Sequence, residues 1–537
     1  MKLVSVSEMK TIEQEANASG YSYRQMMEAA GSHLAEVVHT LYVPDEDNIA
    51  VGLVGSGNNG GDTLIALSYL QRNGWQVRAY LMKDRPADDP DLQKMKAQGI
   101  EIMASAKDPK FEILDEWMIT SSVLIDGAIG TGLTLPVNAD VAKVLRFVRD
   151  HQELPLVIAV DCPSGINCDT GEVDESCLPA DITVCMEAIK VGMLKFPAYS
   201  YLGDLQVVSI DLPEDFSMDK FASINVIDQE MVEESLPERD LDAHKGTFGT
   251  TLIVAGSMNY TGAAYLAGKA AYRVGTGLVR MAVPGPLHAA LAGQFPEATW
   301  LLLPHVMGVI AEEGIDILGK NMDKVSAMLV GPGLGTENTT GQFIRRFFSK
   351  DMAKGKKNNI GFISPEKPTK DGPEWTYPPL VIDADALNLL SKYEDWSDML
   401  PEGSILTPHP GEMAALTGLS VDEIQADRIH IAKKYAAQWH QFVVLKGAMT
   451  VVAAPNGDCS VLPVATPALA KAGTGDVLSG MIVGLLAQGM TPIESAVAGV
   501  WLHAQAGLVA ESWHGTSVSV LASDLLDAIP EVFSNLW

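Results

Sequence analysis

The sequence is short of cysteine, of positive charge and of long apolar runs, and each shortage removes a class of answer. Five cysteines in 537 residues are too few for a disulfide framework. Cys162, Cys168, Cys177 and Cys185 fall in one stretch, but no CxxC pair occurs among them, so the spacing is not that of a zinc or redox motif. Lys and Arg total 38 against 68 Asp and Glu, a net charge of −30. A chain that is acidic in both halves does not bind nucleic acid by neutralising phosphates. Nor does it dock on an anionic membrane surface. No apolar run approaches the roughly 18–20 residues that cross a bilayer. The start, MKLVSVSEMK, lacks the basic region and apolar run of a secretory signal. The expectation is a cytoplasmic protein with reduced thiols and neither a membrane nor a nucleic-acid partner.

What is present is ordinary globular material, 47% hydrophobic and 20% charged, long enough for two to four domains. Ser5 and Glu8 have capping-box spacing, and Met9, Ile12 and Ala16 follow at helical spacing. A second helix is expected over about 23–41. An alternation of strands and helices comes next: strands at Ile49–Val54, Val77–Met82, Val123–Ile125 and Leu156–Val160, with a helix at Asp62–Gln71. Residues 212–247 break the rhythm, which predicts a linker at 216–224 between domains 1–215 and 225–537. The second half restarts it. Strands are expected at Thr251–Ala255, Leu278–Val283, Ala327–Val330, Leu380–Ile382, Ile405–Leu406, Phe442–Leu445 and Thr450–Ala453. Helices are expected near 261–274, 411–417, 421–438, 475–488 and 492–511. Both halves therefore read as α/β with parallel sheets. Residues 352–378, rich in Lys, Gly and Pro, read as a long exposed loop.

Gly55-Ser-Gly57-Asn-Asn-Gly60 is a literal G-x-G-x-x-G between a strand and a helix, and the simple reading is a dinucleotide turn. No hydride-transfer set follows it. Two further strand ends point to the same crevice: Asp126 runs into Gly127–Pro136, and Asp161 runs into Cys-Pro-Ser164-Gly165. Ligands bind beyond the carboxyl ends of such strands, so Asn59, Asp126, Asp161 and Ser164 would surround one cleft. Each alone is more often a cap or a turn former. Together Asn59, Asp126 and Ser164 offer oxygen donors to a hard cation, and a single carboxylate suits a monovalent ion better than Mg²⁺.

The runs Asn58–Asp62, Asp126–Gly132 and Val160–Gly165, with Ala188-Ile-Lys190, resemble the epimerase domain of the bifunctional NAD(P)H-hydrate repair enzymes. The resemblance implies a Rossmann-like αβα sandwich. It implies K⁺ on Asn59, Asp126 and Ser164. It also implies hydrate binding by Asn58, Asn59, Gly60, Gly61, Asp62, Gly130, Thr131, Gly132, Leu133, Thr134, Leu135, Pro136 and Asp161. Asp161 is a candidate to move the proton. Thr63 departs from the pattern, where glycine commonly continues.

In the second half Gly473-Thr474-Gly475-Asp476 opens a helix, where glycine amides and the helix dipole attract anions. Gly331–Gly335, Asp383–Asn388, Thr407–Glu412 and Lys446–Thr450 follow successive strands. The set resembles the ribokinase-like αβα domain of the ADP/ATP-dependent NAD(P)H-hydrate dehydratases. The resemblance implies that Lys446, Gly447, Ala448, Met449, Thr450 and Gly475 hold ADP or ATP, with Mg²⁺ on its phosphates. It implies that Ala263, Gly333, His409 and Asp476 contact the hydrate. Asp476 would deprotonate the hydrate hydroxyl, which attacks the terminal phosphoryl group, and phosphate then leaves in place of hydroxide. A histidine between two prolines is otherwise a rigid turn residue. The resemblance also implies a homo-oligomer. The rival reading is a ribokinase-like small-molecule kinase with a nucleotide-binding N-terminal domain.

Overall fold

The computed structural model describes residues 1–42, 48–86, 88–349 and 376–536. The chain forms two compact units, Met1–Asn225 and Val226–Trp537. Most of the expected loop at 352–378 lies outside the described residues.

The first unit is built on a seven-stranded sheet. Its order is Glu101–Ala104, Gln76–Leu81, Ile49–Val54, Val123–Gly127, Leu156–Val160, Ile182–Met186 and Asp204–Val208. Every pairing in it is parallel. Alternation along one strand serves both faces: Ala50 and Val54 join one buried layer, Val51 and Leu53 the other. Helices cover each layer. The helix Val6–Ala18 buries Val6, Met9, Ile12 and Ala16, and its capping box at Ser5 and Glu8 forms both bonds. Each fully buried Leu or Val in these layers is worth roughly 1.5–3 kcal/mol. The chain order reverses between Ile49–Val54 and Val123–Gly127, so the turns leaving those two strands frame the crevice of an open α/β sheet.

Two expectations for the first unit differ from the structure. The helix read as Asp62–Gln71 starts at Asn58 and runs to Arg72. Its first turn, Asn-Asn-Gly-Gly, has poor helix propensity, and tertiary packing overrides it. Gly60 lies so close to the Gly55 carbonyl that a Cβ there would come within 2.1 Å of it. The stretch read as a linker, 216–224, is packed on the first unit. Phe216 and Phe221 stack, Ala222 is buried, Asp219 pairs with Lys2, and Ile224–Asn225 pair with Lys2–Leu3.

In the second unit the strand order is Thr299–Leu303, Leu278–Pro284, Thr250–Val254, Ala327–Val330, Leu380–Ile382, Ile405–Leu406 and Phe442–Leu445, parallel throughout. Val451–Ala453 and Cys459–Val461 extend it antiparallel. The order reverses between Thr250–Val254 and Ala327–Val330. The expected helix 421–438 is two, Val421–Ala426 and Arg428–Trp439. Asp427 between them leaves the helical conformation and caps the second through His430 N–H. All five cysteines are buried and free. Among the described residues no helix is long and apolar enough to cross a membrane.

Candidate active sites

In the first unit a cleft of about 460 Å³ opens beyond the sheet's carboxyl edge. It is lined by the turn 55–60 and by residues 127–134. Asn58, Asn59, Gly60 and Gly130–Thr134 face it, whereas Gly61 and Asp62 lie under its floor, buried in the helix. Gly130 is pressed against Asn59, whose Oδ1 would stand 2.1 Å from a Cβ there. The Asn59 amide nitrogen donates to Val160 O, which turns Oδ1 away from that partner. Thr63 does not disturb the turn. It sits one helical turn on, buried, and donates to Asn59 O at 2.7 Å.

Asp126 and Ser164 meet directly. The Ser164 hydroxyl donates to Asp126 Oδ1 at 2.6 Å and the Ser164 N–H donates to Oδ2 at 2.8 Å. Burial raises the Asp126 pKa, and the bonds from Ser164 offset part of that rise. Ser164 Oγ also accepts from Ile129 N–H at 2.8 Å, which ties this pair to the 127–134 lining.

Asp161 sits just past its strand in the left-handed region, φ 65°. Its Oδ1 accepts from Met186 N–H at 3.0 Å and from the Lys190 ammonium. Lys190 is fully buried and also donates to Ala188 O at 2.8 Å and Met186 O at 3.2 Å, so its three hydrogens all have acceptors. Burial alone would lower the Lys190 pKa, but the Asp161 charge overcomes it and raises it. Around this pair stand two more acids. Burial, then the Asp161 charge, raises the pKa of Asp62 and of Glu13. Lys190 and Glu13 were not among the site residues read from the sequence. Lys190 lay inside a motif without a role, and Glu13 lies on a helix with no motif at all.

In the second unit the switch point brings Ala263 and Gly333 together. A Cβ on Gly333, φ 61°, would meet the Ala263 Cβ at 2.7 Å. The Gly335 N–H donates to Asp385 Oδ2 at 2.8 Å. The centre of the site is a half-buried ammonium. Lys446 Nζ lies 2.7 Å from Asp383 Oδ1 and 3.7 Å from Glu412 Oε2. Gly475, in the first turn of the helix Thr474–Ala487, stands over it, a Cβ there lying 3.6 Å from Nζ. Asp383 Oδ2 is buried without a hydrogen-bond partner.

These neighbours set the acids. Burial, with Asp383 close by, lifts the Asp476 pKa to about 7, although Lys446 opposes the rise. Glu412 is likewise lifted to about 7, chiefly by burial. His409 is the N-cap of Pro410–Thr417: its Nδ1 accepts from the N–H groups of Gly411 and Glu412. Burial and the Lys446 charge lower its pKa, so the ring is neutral at pH 7 and presents Nε2–H. The turn-residue reading and the site reading thus concern opposite edges of one ring. Buried His503 bonds Thr474 O at 2.9 Å through Nε2 and steadies the helix start. Asp383, Glu412 and His503 carry no role in the sequence reading, although the first two lie in turns flagged there.

Comparison with known proteins decides what this pair of sites is. The family model described as NAD(P)H-hydrate dehydratase matches residues 251–353 and 369–531, and that for the YjeF-related protein N-terminus matches 23–192. A bifunctional NAD(P)H-hydrate repair enzyme Nnr of Salinibacter ruber is 36% identical, over 94% of this chain and 91% of that protein. One from Moorella thermoacetica is 32% identical, over 100% and 97%. The chain belongs to the bifunctional NAD(P)H-hydrate repair enzymes. An ADP/ATP-dependent NAD(P)H-hydrate dehydratase of Bacillus subtilis, co-crystallised with ATP and Mg²⁺, is 33% identical over 58% of this chain and 99% of that one, with a TM-score of 0.46.

As a repair enzyme of this family the chain joins an epimerase domain of Rossmann-like αβα form to an α/β dehydratase domain. The rival small-molecule kinase is set aside, because the relatives named as repair enzymes match nearly the whole chain, first half included.

Proposed function

We propose that the first unit interconverts the R and S epimers of NAD(P)H hydrate, and that the second dehydrates the S form with ADP or ATP as phosphoryl donor. The cytoplasmic setting and a homo-oligomeric state belong to the same proposal, the latter checked by molar mass in solution.

In the first unit Asn58–Gly60 and Gly130–Thr134 take the hydrate, with Asp161 as the group that moves the proton. Asp161 has one carboxylate oxygen saturated by Lys190 and Met186. That leaves Oδ2, with no protein donor among the described residues, to pass a proton to the hydroxyl as it leaves one face of the ring as water and to take one back from the water that adds to the other face. Asn59, Asp126 and Ser164 fit K⁺ as a donor set: a free amide oxygen, one carboxylate and one hydroxyl. Bound there, K⁺ would supply a fixed positive charge.

In the second unit Lys446–Thr450 and Gly475 take the nucleotide, and Ala263, Gly333, His409 and Asp476 take the hydrate. Asp476 removes the proton of the carbon-6 hydroxyl. That oxygen bonds to the terminal phosphorus as the bond to the nucleotide's bridging oxygen breaks. The carbon–oxygen bond then breaks, phosphate leaves with the electron pair, and loss of the neighbouring ring proton restores NAD(P)H. Mg²⁺ fits as a partner of the nucleotide phosphates, beside the unpartnered Asp383 oxygen. Bound there, it would neutralise phosphate charge.

The observation that carries the reading is Asp476, poised near 7 at a glycine-rich helix start over the Lys446–Asp383 pair. Its test is the purified chain with S-hydrate, Mg²⁺ and either nucleotide. Recovery of reduced-nicotinamide absorbance with release of one phosphate per turnover supports it. A stable phosphorylated product would contradict it.

A further inference from the structure

Arg428 is a half-buried cation whose guanidinium pairs with no acid among the described residues. It opens the helix Arg428–Trp439. Nη1 donates to Gln425 Oε1 at 2.7 Å, and Nη2 donates to the carbonyls of Leu445 at 2.8 Å and Lys446 at 3.2 Å. Nε is buried without a partner. Burial lowers its pKa to about 10, which still leaves it charged. In a chain of net charge −30, a partly desolvated arginine without a counter-ion is costly unless something uses the charge.

The group it grips is the turn 446–450. A peptide plane is trans, so its carbonyl and its N–H point opposite ways. The Lys446 carbonyl points at Arg428, and the Gly447 N–H therefore points away from it, out of the turn. Next along, the Gly447 carbonyl accepts from Thr450 Oγ1 at 2.8 Å, which turns the Ala448 N–H away from Thr450. Lys446 and Met449 give their N–H groups to Pro408 O and Val464 O. Those of Gly447 and Ala448 have no protein acceptor among the described residues. Gly447 has φ 143°, and a Cβ there would stand 3.1 Å from Arg428 Nη1, so guanidinium and turn fit together only without a side chain. Two adjacent free N–H groups on such a turn form an anion-binding concavity, backed here by a cation.

We propose that Arg428 is a positioning residue for the nucleotide phosphates. It clamps the Leu445 and Lys446 carbonyls so that the Gly447 and Ala448 N–H groups face the nucleotide, and its unmatched charge lies behind them. The inference rests on the reading that residues 446–450 hold the nucleotide.

The experiment measures KM for ADP and kcat of the dehydratase reaction in the full chain for R428Q, R428K and A448W, at low and high salt. The expectation for R428Q is a KM raised roughly ten- to hundredfold with kcat within about threefold, and a weaker salt dependence of KM than wild type. R428K, which keeps the charge and loses the two-carbonyl fork, falls between and keeps the salt dependence. It also serves if R428Q does not fold. A448W, which blocks the turn itself, raises KM at least as far. An A448W chain with unchanged KM would remove the reading of the turn and the inference with it. A raised KM in A448W beside an unchanged KM in both Arg428 variants would overturn the inference alone. So would variants that lose kcat and keep KM.

Discussion

Asp476→Asn tests the base directly, because a buried base is expected to cost the fold stability that its neutral replacement restores. The carboxyl is lifted from 3.8 to about 7, by burial first and by Asp383 next. At pH 6 it is mostly protonated and at pH 8 mostly ionised, so kcat/KM of dehydration is expected to fall about tenfold per pH unit below 7. Asn keeps the shape and removes the base. The expected loss is about 10²- to 10⁴-fold, or about 3–5.5 kcal/mol at 1.36 kcal/mol per factor of ten. The stability sign runs the other way. The folded pKa lies above the unfolded value, so the neutral carboxyl suits the fold. That advantage is complete below pH 3.8 and is lost as pH rises through about 7. The loss is at most about 4 kcal/mol at 1.36 kcal/mol per unit. Asn does not ionise, so at pH 8 the variant is expected to be at least as stable as wild type while nearly inactive. The assay is initial-rate absorbance recovery from S-hydrate between pH 5.5 and 8.5, with denaturant unfolding of the same samples at pH 8. A variant with more than a tenth of wild-type activity would refute the reasoning. So would a variant less stable than wild type at pH 8, or a wild-type profile flat from pH 6 to 8.

Glu412 also titrates near 7. Glu412→Gln, which can still cap the His409 N–H, is therefore expected to make the acid limb of that profile less steep, read from the same pH series. Lys190→Met breaks a buried pair and is expected to cost about 3–5 kcal/mol in the first unit, measured by denaturant unfolding. Combined with Asp161→Asn, the double variant is expected to lose less than the sum of the singles; strict additivity would mean the pair does not couple. Gly130→Ala puts a Cβ 2.1 Å from Asn59 Oδ1 and is expected to abolish epimerisation with dehydration of S-hydrate unchanged. Ser164→Ala removes the 2.6 Å bond to Asp126 and is expected to raise the K⁺ concentration needed for half-maximal epimerisation, measured by titration with KCl.

Much of the architecture is legible in short segments. Ser5 and Glu8 announce a helix because capping is local chemistry. Val123 to Asp126 and Leu156 to Val160 announce strands because both faces are covered. The helix start at Asn58 is not legible, because Asn-Asn-Gly-Gly is favoured there by contacts with residues far along the chain. Glu101–Ala104 and Asp204–Val208, the outer strands of the first sheet, are short and only half-buried, and their weak patterns hide them. In the sites, turn motifs mark the rims, while the charge pairs that tune them join distant residues. Lys190 reaches Asp161 across 29 residues and Lys446 reaches Asp383 across 63. Sequence spacing carries no signal for such pairs; only the order of strands brings them together.

The central claim is that one chain carries both chemistries, each in its own unit. The most direct measurement is reduced-nicotinamide absorbance recovered from a mixed-epimer NADH hydrate sample, with K⁺, Mg²⁺ and ADP or ATP, for wild type, Asp161→Asn and Asp476→Asn. The account predicts full recovery in wild type, faster than spontaneous epimerisation. It predicts recovery stopping at the S fraction in Asp161→Asn and almost none in Asp476→Asn. Full and rapid recovery in Asp161→Asn, or a wild type that halts at the S fraction, would contradict it.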